Sequence, residues 1–226
     1  MIYIATFLLF ALASAEWEIT SHTGERIPIL TYDEAHAMRD IYRKHKTNPA
    51  LRGANGGASD IIVHIGKSVW DFIQNNKPTV DYKSDWAGAI PPQCNVDGVY
   101  DWTCMGGFKN TESKEYTMKW KIAGNTVSEF SWKFAWDYDG YYGDHVGKFI
   151  MNAGCRLTNL KGGVNQDVKA WVETREPVNL GTPDKPLAGL DVAVYFSSSS
   201  VNADIISCTA TTKGDGDYDL HSCSQN

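Results

Sequence analysis

Between Glu129 and Trp136 the chain reads EFSWKFAW, so that Phe130, Trp132, Phe134 and Trp136 alternate with Glu129, Ser131, Lys133 and Ala135. In a β-strand this spacing puts all four rings on one pleat face. Exposed, a stripe of that area would drive aggregation, so the rings are expected to line a core. The preceding YTMKWKI has the same period, with Met118, Trp120 and Ile122 alternating with Lys119 and Lys121. Ala-Gly-Asn separates the two runs, which predicts a long antiparallel hairpin with one buried face.

Four further segments, KFIMNAGCRL, VNQDVKAWVETREP, LAGLDVAVYFSS and ADIISCTATT, follow the pattern and are separated by NLKGG, NLGTPDKP and SSSSVN. Short strands rich in Trp, Tyr, Val and Thr, with turn signals at roughly 10-residue spacing, predict a mainly β fold: an antiparallel β-sandwich or jelly-roll. No repeat of fixed length is visible, which argues against propellers and solenoids. One helix is expected from Thr31, where TYDEAHAMRDIYRKHK has capping-box spacing between Thr31 and Glu34 and apolar residues every 3 to 4 positions. A second short helix is expected over SVWDFIQNN, with Ser68 as cap and Val69, Phe72 and Ile73 on one face.

The chain opens MIYIATFLLFALASAEWE, an apolar run closed by Ala13-Ser14-Ala15. That is the form of a secretory signal cut before Glu16, and the run falls short of the ~20 residues a membrane span needs. The expected organisation is residues 1–15 as signal, 16–58 as an N-terminal helical segment with a linker, and 59–226 as an all-β domain. Residues 16–58 carry six acids and six bases, so the whole net charge of −6 falls in residues 59–226. A pro-segment or docking arm, cut near Arg52 in the Asn-Pro and Gly-Gly punctuated linker, is one reading of that split; a helix packed permanently on the sheet is the other.

Five cysteines in an exported chain suggest two disulfides and one leftover thiol. Cys94 with Cys104 and Cys208 with Cys223 close local, turn-rich loops and are the expected pairs, with Cys155 to Cys208 as the competing arrangement. No CxxC or HExxH is present, which disfavours zinc. The acidic balance and the lack of any Lys- or Arg-rich run make nucleic acid and anionic lipid poor partners. No Asn-x-Ser/Thr sequon occurs, and nothing in the residues specifies an oligomeric state.

After Trp136 the alternation gives way to DYDGYYGDH, where Asp137, Asp139 and Asp144 crowd with Tyr138, Tyr141 and Tyr142. Rings beside carboxylates suit a sugar site: the ring stacks on the apolar face of a pyranose and the acid accepts bonds from its hydroxyls. A Gly-rich turn with its tyrosines laid back on the sandwich edge is the plainer alternative. In QDVKAWVET the inward series is Val168, Ala170 and Val172, which turns Trp171 outward as a second binding hint. The candidate ligand-binding residues are therefore Trp136, Asp137, Tyr138, Asp139, Tyr141, Tyr142, Asp144 and Trp171. Asp215, Asp217 and Asp219 share the i, i+2, i+4 spacing of a calcium loop, although Leu220 and Asn226 stand where an EF-hand needs Gly and Glu. No catalytic motif is present. The residues point first to a secreted, lectin-like recognition protein with an extracellular glycan or cell-surface ligand. A hydrolase held as a precursor by residues 16–58 and a membrane-active sandwich toxin are the alternatives.

Overall fold

The computed structural model describes residues 15–46, 62–65, 70–74, 87–96, 99–101, 103–162, 168–175, 177–198 and 205–225. These form two sheets packed face to face and one α-helix, α1 (Tyr32–Lys46). The first sheet runs β2 (Arg26–Ile27), β1 (Ala15–Ser21), β11 (Tyr116–Ile122), β12 (Asn125–Tyr142), β13 (Val146–Lys161), β6 (Ala87–Ile90) and β4 (Val63–Ile65). Along the second half of β12, β10 (Lys109–Glu112) and β9 (Met105–Gly106) take the place of β11. The second sheet runs β3 (Ile29–Thr31), β18 (Tyr218–Gln225), β17 (Ile205–Lys213), β16 (Ala188–Ser198), β14 (Val168–Thr174) and β5 (Trp70–Gln74), with β15 (Val178–Asn179) beside β16. The strand pairings are antiparallel except β3 along β18. A separate ribbon joins β7 (Asn95–Val96) to β8 (Val99–Tyr100).

The aromatic stripe lies where the period puts it. Phe130, Trp132, Phe134 and Trp136 are all buried, and the core they enter is completed by Val172, Val192, Val194 and Phe196 of the opposite sheet. Phe130 stacks on Trp132 at 5.3 Å between centroids, and Phe196 meets Trp17 edge-on at 5.1 Å. The expected hairpin forms with Met118 opposite Phe130 and Tyr116 opposite Trp132. Both expected disulfides form; Cys208 and Cys223 are direct cross-strand partners on β17 and β18. Cys155 is buried, and burial pushes its thiol pKa upward, which leaves it unreactive.

Two features depart from the sequence reading. The second helix does not form: Trp70–Gln74 is strand β5, laddered to β14, while Ser68 and Val69 lie outside the described residues. A short apolar run fits either period, and a free edge of β14 decides it. The segment from Glu16 also begins in the sheet, because EWEITS is itself alternating: Trp17 and Ile19 are buried and β1 pairs with β11 over seven residues. The linker 47–58 lies outside the described residues. Helix α1 follows β3 directly, its start fixed by Glu34, whose carboxylate accepts from the Thr31 amide and hydroxyl at 2.9 and 2.8 Å. No described helix is long and apolar enough to cross a membrane.

Four outcomes are expected. Trp132→Ala should cost about 3–5 kcal/mol in denaturant unfolding. Trp132→Phe should cost less than half of that, because the indole N–H it removes has no hydrogen-bond partner among the described residues. Replacing Cys208 and Cys223 with Ala, which reopens a loop of 15 residues, should cost about 3 kcal/mol. Proteolytic cutting within 47–58 should yield two pieces that co-elute in native gel filtration, since β1 stays laddered to β11; separate elution would mean that the ladder does not hold.

Candidate functional site

Strand β12 does not end at Trp136. It continues to Tyr142, but its register with β13 shifts between Ala135 and Asp137, between Asp137 and Gly140, and between Gly140 and Tyr142. These bulges, with Asp139 at φ +64°, are what the loss of alternation in the sequence records. Although the alternation gives way after Trp136, the strand does not: the stretch is a bulged inner strand, flanked by β13 on one side and by β10 and β9 on the other.

That flanking sets the fate of each candidate. Trp136 is 1% exposed and its indole N–H donates to the Lys213 carbonyl at 3.0 Å, so it is a core residue. Asp137 accepts from the Asn110 and Asn152 side-chain amides at 2.9 and 2.5 Å. Asp139 pairs with Lys109 at 2.6 Å and with Lys148 at 3.6 Å. The Tyr138 ring packs on the core and over Gly216, where an added Cβ would lie 2.7 Å from Cε2. The Tyr141 ring covers Gly106 and sits 4.1 Å from the His145 ring. Tyr142 and Asp144 remain exposed at the hairpin tip. Trp171 does face outward, but on the outer side of the other sheet, stacked on Tyr195 at 5.0 Å and bonded to Glu173. It lies across the sandwich from Asp137 and Asp139 and forms no common site with them.

Asp215, Asp217 and Asp219, the acids with calcium-loop spacing, take other partners in the fold. Among the described residues no three His, Cys, Asp or Glu side chains are grouped to share a metal ion. Asp217 and Asp219 instead hold the Lys213 ammonium at 3.3 and 3.1 Å. Burial pulls the Lys213 pKa down, and these two carboxylates more than offset it, so the lysine is held above its ordinary range.

What the fold does bring together is an open groove of about 550 Å³ at the end of the sandwich. His145, Val146 and Lys148 come from the β12–β13 hairpin, Asp184 to Leu187 from the loop after β15, and Asp215 from the β17–β18 turn. Backbone hydrogen bonds stitch these segments: Asp139 N–H to the Gly214 carbonyl, Gly214 N–H to that of Ala188, and Lys148 N–H to that of Pro186, each at 2.8 Å. Gly214 is required there, because a Cβ would run into the Lys148 carbonyl. Asn179, 1% exposed, shapes the loop after β15 by accepting from the Gly181 and Leu187 amides at 2.9 and 3.1 Å. Val146, Pro186 and Leu187 give the groove an apolar side; Lys148, Asp184, Lys185 and Asp215 give it charge. The sequence reading passed over Lys148, Asp184 and Lys185. The signal for the last two is NLGTPDKP, where an Asn precedes a Gly-Pro-rich turn that separates two strands. Compared with protein families, curated proteins and solved structures, the chain matches none.

The ion pairs around the site give a pH dependence. Lys109 lowers the Asp139 pKa, opposed by slight burial and aided by Lys148; Arg156 does the same for Glu112. A pKa lower in the folded state than in the unfolded one gives stabilisation that is complete above the unfolded value, about 4, and is lost as pH falls through the folded value. Urea unfolding of Asp139→Asn should therefore differ most from the parent near neutral pH and converge with it in acid. A difference that persists unchanged into acid would mean that Asp139 is not paired in solution.

Proposed function

We propose that this chain is an exported recognition protein that binds a carbohydrate in the end groove. The observation that carries the reading is the groove itself, where the two turns singled out by their acids and glycines meet over an apolar side with a charged rim. Val146, Pro186 and Leu187 can lie against the C–H face of a pyranose, while Lys148, Lys185, Asp184 and Asp215 exchange hydrogen bonds with its hydroxyls. Tyr142, exposed three residues before His145, can extend the apolar surface. The three stitched segments hold these groups before any ligand arrives, which limits the ordering cost of binding. Export is supported by the apolar opening of the chain with its Ala-Ser-Ala triplet, of which Ala15 alone is described, as the first residue of β1, and by two formed disulfides, which suit an oxidising compartment.

The test is a glycan array followed by calorimetry on the strongest binder. Asp215→Ala and Lys185→Ala should each weaken binding by about 1.5–3 kcal/mol, as for hydrogen bonds to charged groups, and should leave the unfolding midpoint unchanged. Chelator should have no effect, since Lys213 occupies the acids of the turn. Binding unaltered by both substitutions would move the ligand away from the groove.

One observation favours a second reading. Tyr142 and Val146 are 36% and 44% exposed at the tip of the same hairpin, and an amphipathic ring with an apolar neighbour suits a lipid headgroup region. Sedimentation with zwitterionic vesicles separates the two: loss of co-sedimentation in Tyr142→Ala with intact glycan binding would support docking through the tip.

A further inference from the structure

We propose that the protein has a second binding site, between α1 and the outer face of the second sheet, and that this site takes a small oxyanion group: phosphate, sulfate or carboxylate. A cavity of about 110 Å³ lies there, closed by Tyr32 and His36 of α1 over Arg175, Tyr195, His221 and the Ser and Thr hydroxyls of β17 and β18. That is room for several waters, hence for a group of a few heavy atoms.

The lining is rich in donors and contains no carboxylate, although the chain has 27 Asp and Glu and a net charge of −6. Acids do lie near, and each already has a partner. Asp191, buried beneath the cavity, accepts the Thr211 hydroxyl at 2.5 Å. Glu173 accepts from the Trp171 indole at 3.2 Å and also bears on the Tyr195 hydroxyl, whose pKa it helps to raise after burial, and Asp40 pairs with His36 at 3.5 Å along the helix. Arg175 forms no ion pair with any described carboxylate; its guanidinium donates to the Tyr195 hydroxyl at 3.3 Å. An Arg fork walled by Tyr, Ser and Thr hydroxyls suits a planar or tetrahedral oxyanion better than a neutral polyol.

The surroundings fix these groups. Tyr195 is held by its stack on Trp171, with ring planes 5° apart. Thr211 has one O–H, and it goes to Asp191; the Thr211 oxygen, 2.6 Å from His221 Nε2, therefore accepts, and His221 carries its proton on that nitrogen. His221 is thus oriented from below by a chain of two hydrogen bonds. The outward Trp171 of the sequence reading serves here as the support of a tyrosine that lines the cavity. The site is independent of the end groove and of the reading given to it.

Inorganic phosphate and sulfate are the probes, titrated into the full mature chain at low ionic strength and followed by calorimetry and by the unfolding midpoint. Saturable binding is expected, with a raised midpoint. Arg175→Gln should weaken it about tenfold or more, with Arg175→Lys in between, because lysine keeps the charge and loses the fork. Lys185→Ala in the end groove should change nothing. If Arg175→Gln does not fold, Tyr195→Phe, which removes one lining hydroxyl and keeps the ring, should still weaken binding. No saturable binding by the parent, equal binding by the folded Arg175 variants, or equal uptake of a neutral methyl glycoside would each overturn the proposal.

Discussion

The structure depends on one face of one strand. From Phe130 to Trp136 every second side chain of β12 is a large ring with at most 1% exposure, and β1, β11 and β13 align their own apolar residues to that face. The opposite sheet is positioned by what it must offer these rings: Phe196 against Phe130 and Trp17, Tyr218 against Trp136. Polar contacts cross the sandwich at the same places. The Trp136 indole reaches the Lys213 carbonyl, and the Tyr116 and Tyr218 hydroxyls meet at 2.9 Å. Burial first, then hydrogen bonding to Tyr218, raises the Tyr116 pKa, which keeps that bridge neutral. Because Lys213 directly precedes Gly214, the bond that anchors the last ring of the stripe also fixes the turn from which the groove is built.

The outer face of the first sheet answers a different requirement. Glu112 takes Lys133 and Arg156, Glu129 takes Lys119 and Lys161, Glu18 takes Arg26 and Lys121, and Asp139 takes Lys109 and Lys148. Each such exposed pair contributes little stability, about 0–1 kcal/mol. Their number matters for another reason: an acid already paired across strands is a poor recognition group, since a ligand must first displace its partner. Carboxylate density in the sequence therefore misleads at Asp137 and Asp139, whereas Asp184 and Asp215 stand on turns beyond the reach of the ladder and line the groove.

What was legible in the sequence was what depends on near neighbours. The β11–β12 hairpin, the Thr31–Glu34 cap, the inward Val168, Ala170 and Val172, and both disulfides are set by period or by local loop closure. What was hidden depends on contacts between distant segments. WDFIQ fits a helical face as well as a strand, and only the free edge of β14 chooses. The bulges after Trp136 read as the end of a strand because alternation is the strand signal, yet β9 and β10, about thirty residues earlier in the chain, arrive to pair there. EWEITS had its period in view, but its value is its place beside β11. Lys148, Leu187 and Asp215 have no sequence relation to one another at all; three backbone hydrogen bonds make them neighbours.

Both candidate sites sit where a sandwich is least committed to itself. Inner faces are consumed by the core and the first outer face by its ion pairs, which leaves the strand ends and the polar outer face that α1 covers only in part. At the strand ends the lining groups are fixed chiefly by backbone bonds, with the Asn179 side chain holding the loop before β16, so substitution of a lining side chain such as Lys185 alters recognition with little loss of stability. Under α1 the opposite holds. Tyr195 depends on Trp171, and His221 depends on Thr211 and Asp191, so replacing any of these supports would disturb the cavity and the sheet together. Arg175, just past β14 and hydrogen-bonded through its side chain to Tyr195 alone among the described residues, is the lining residue whose charge can be changed with least consequence for the layers beneath it.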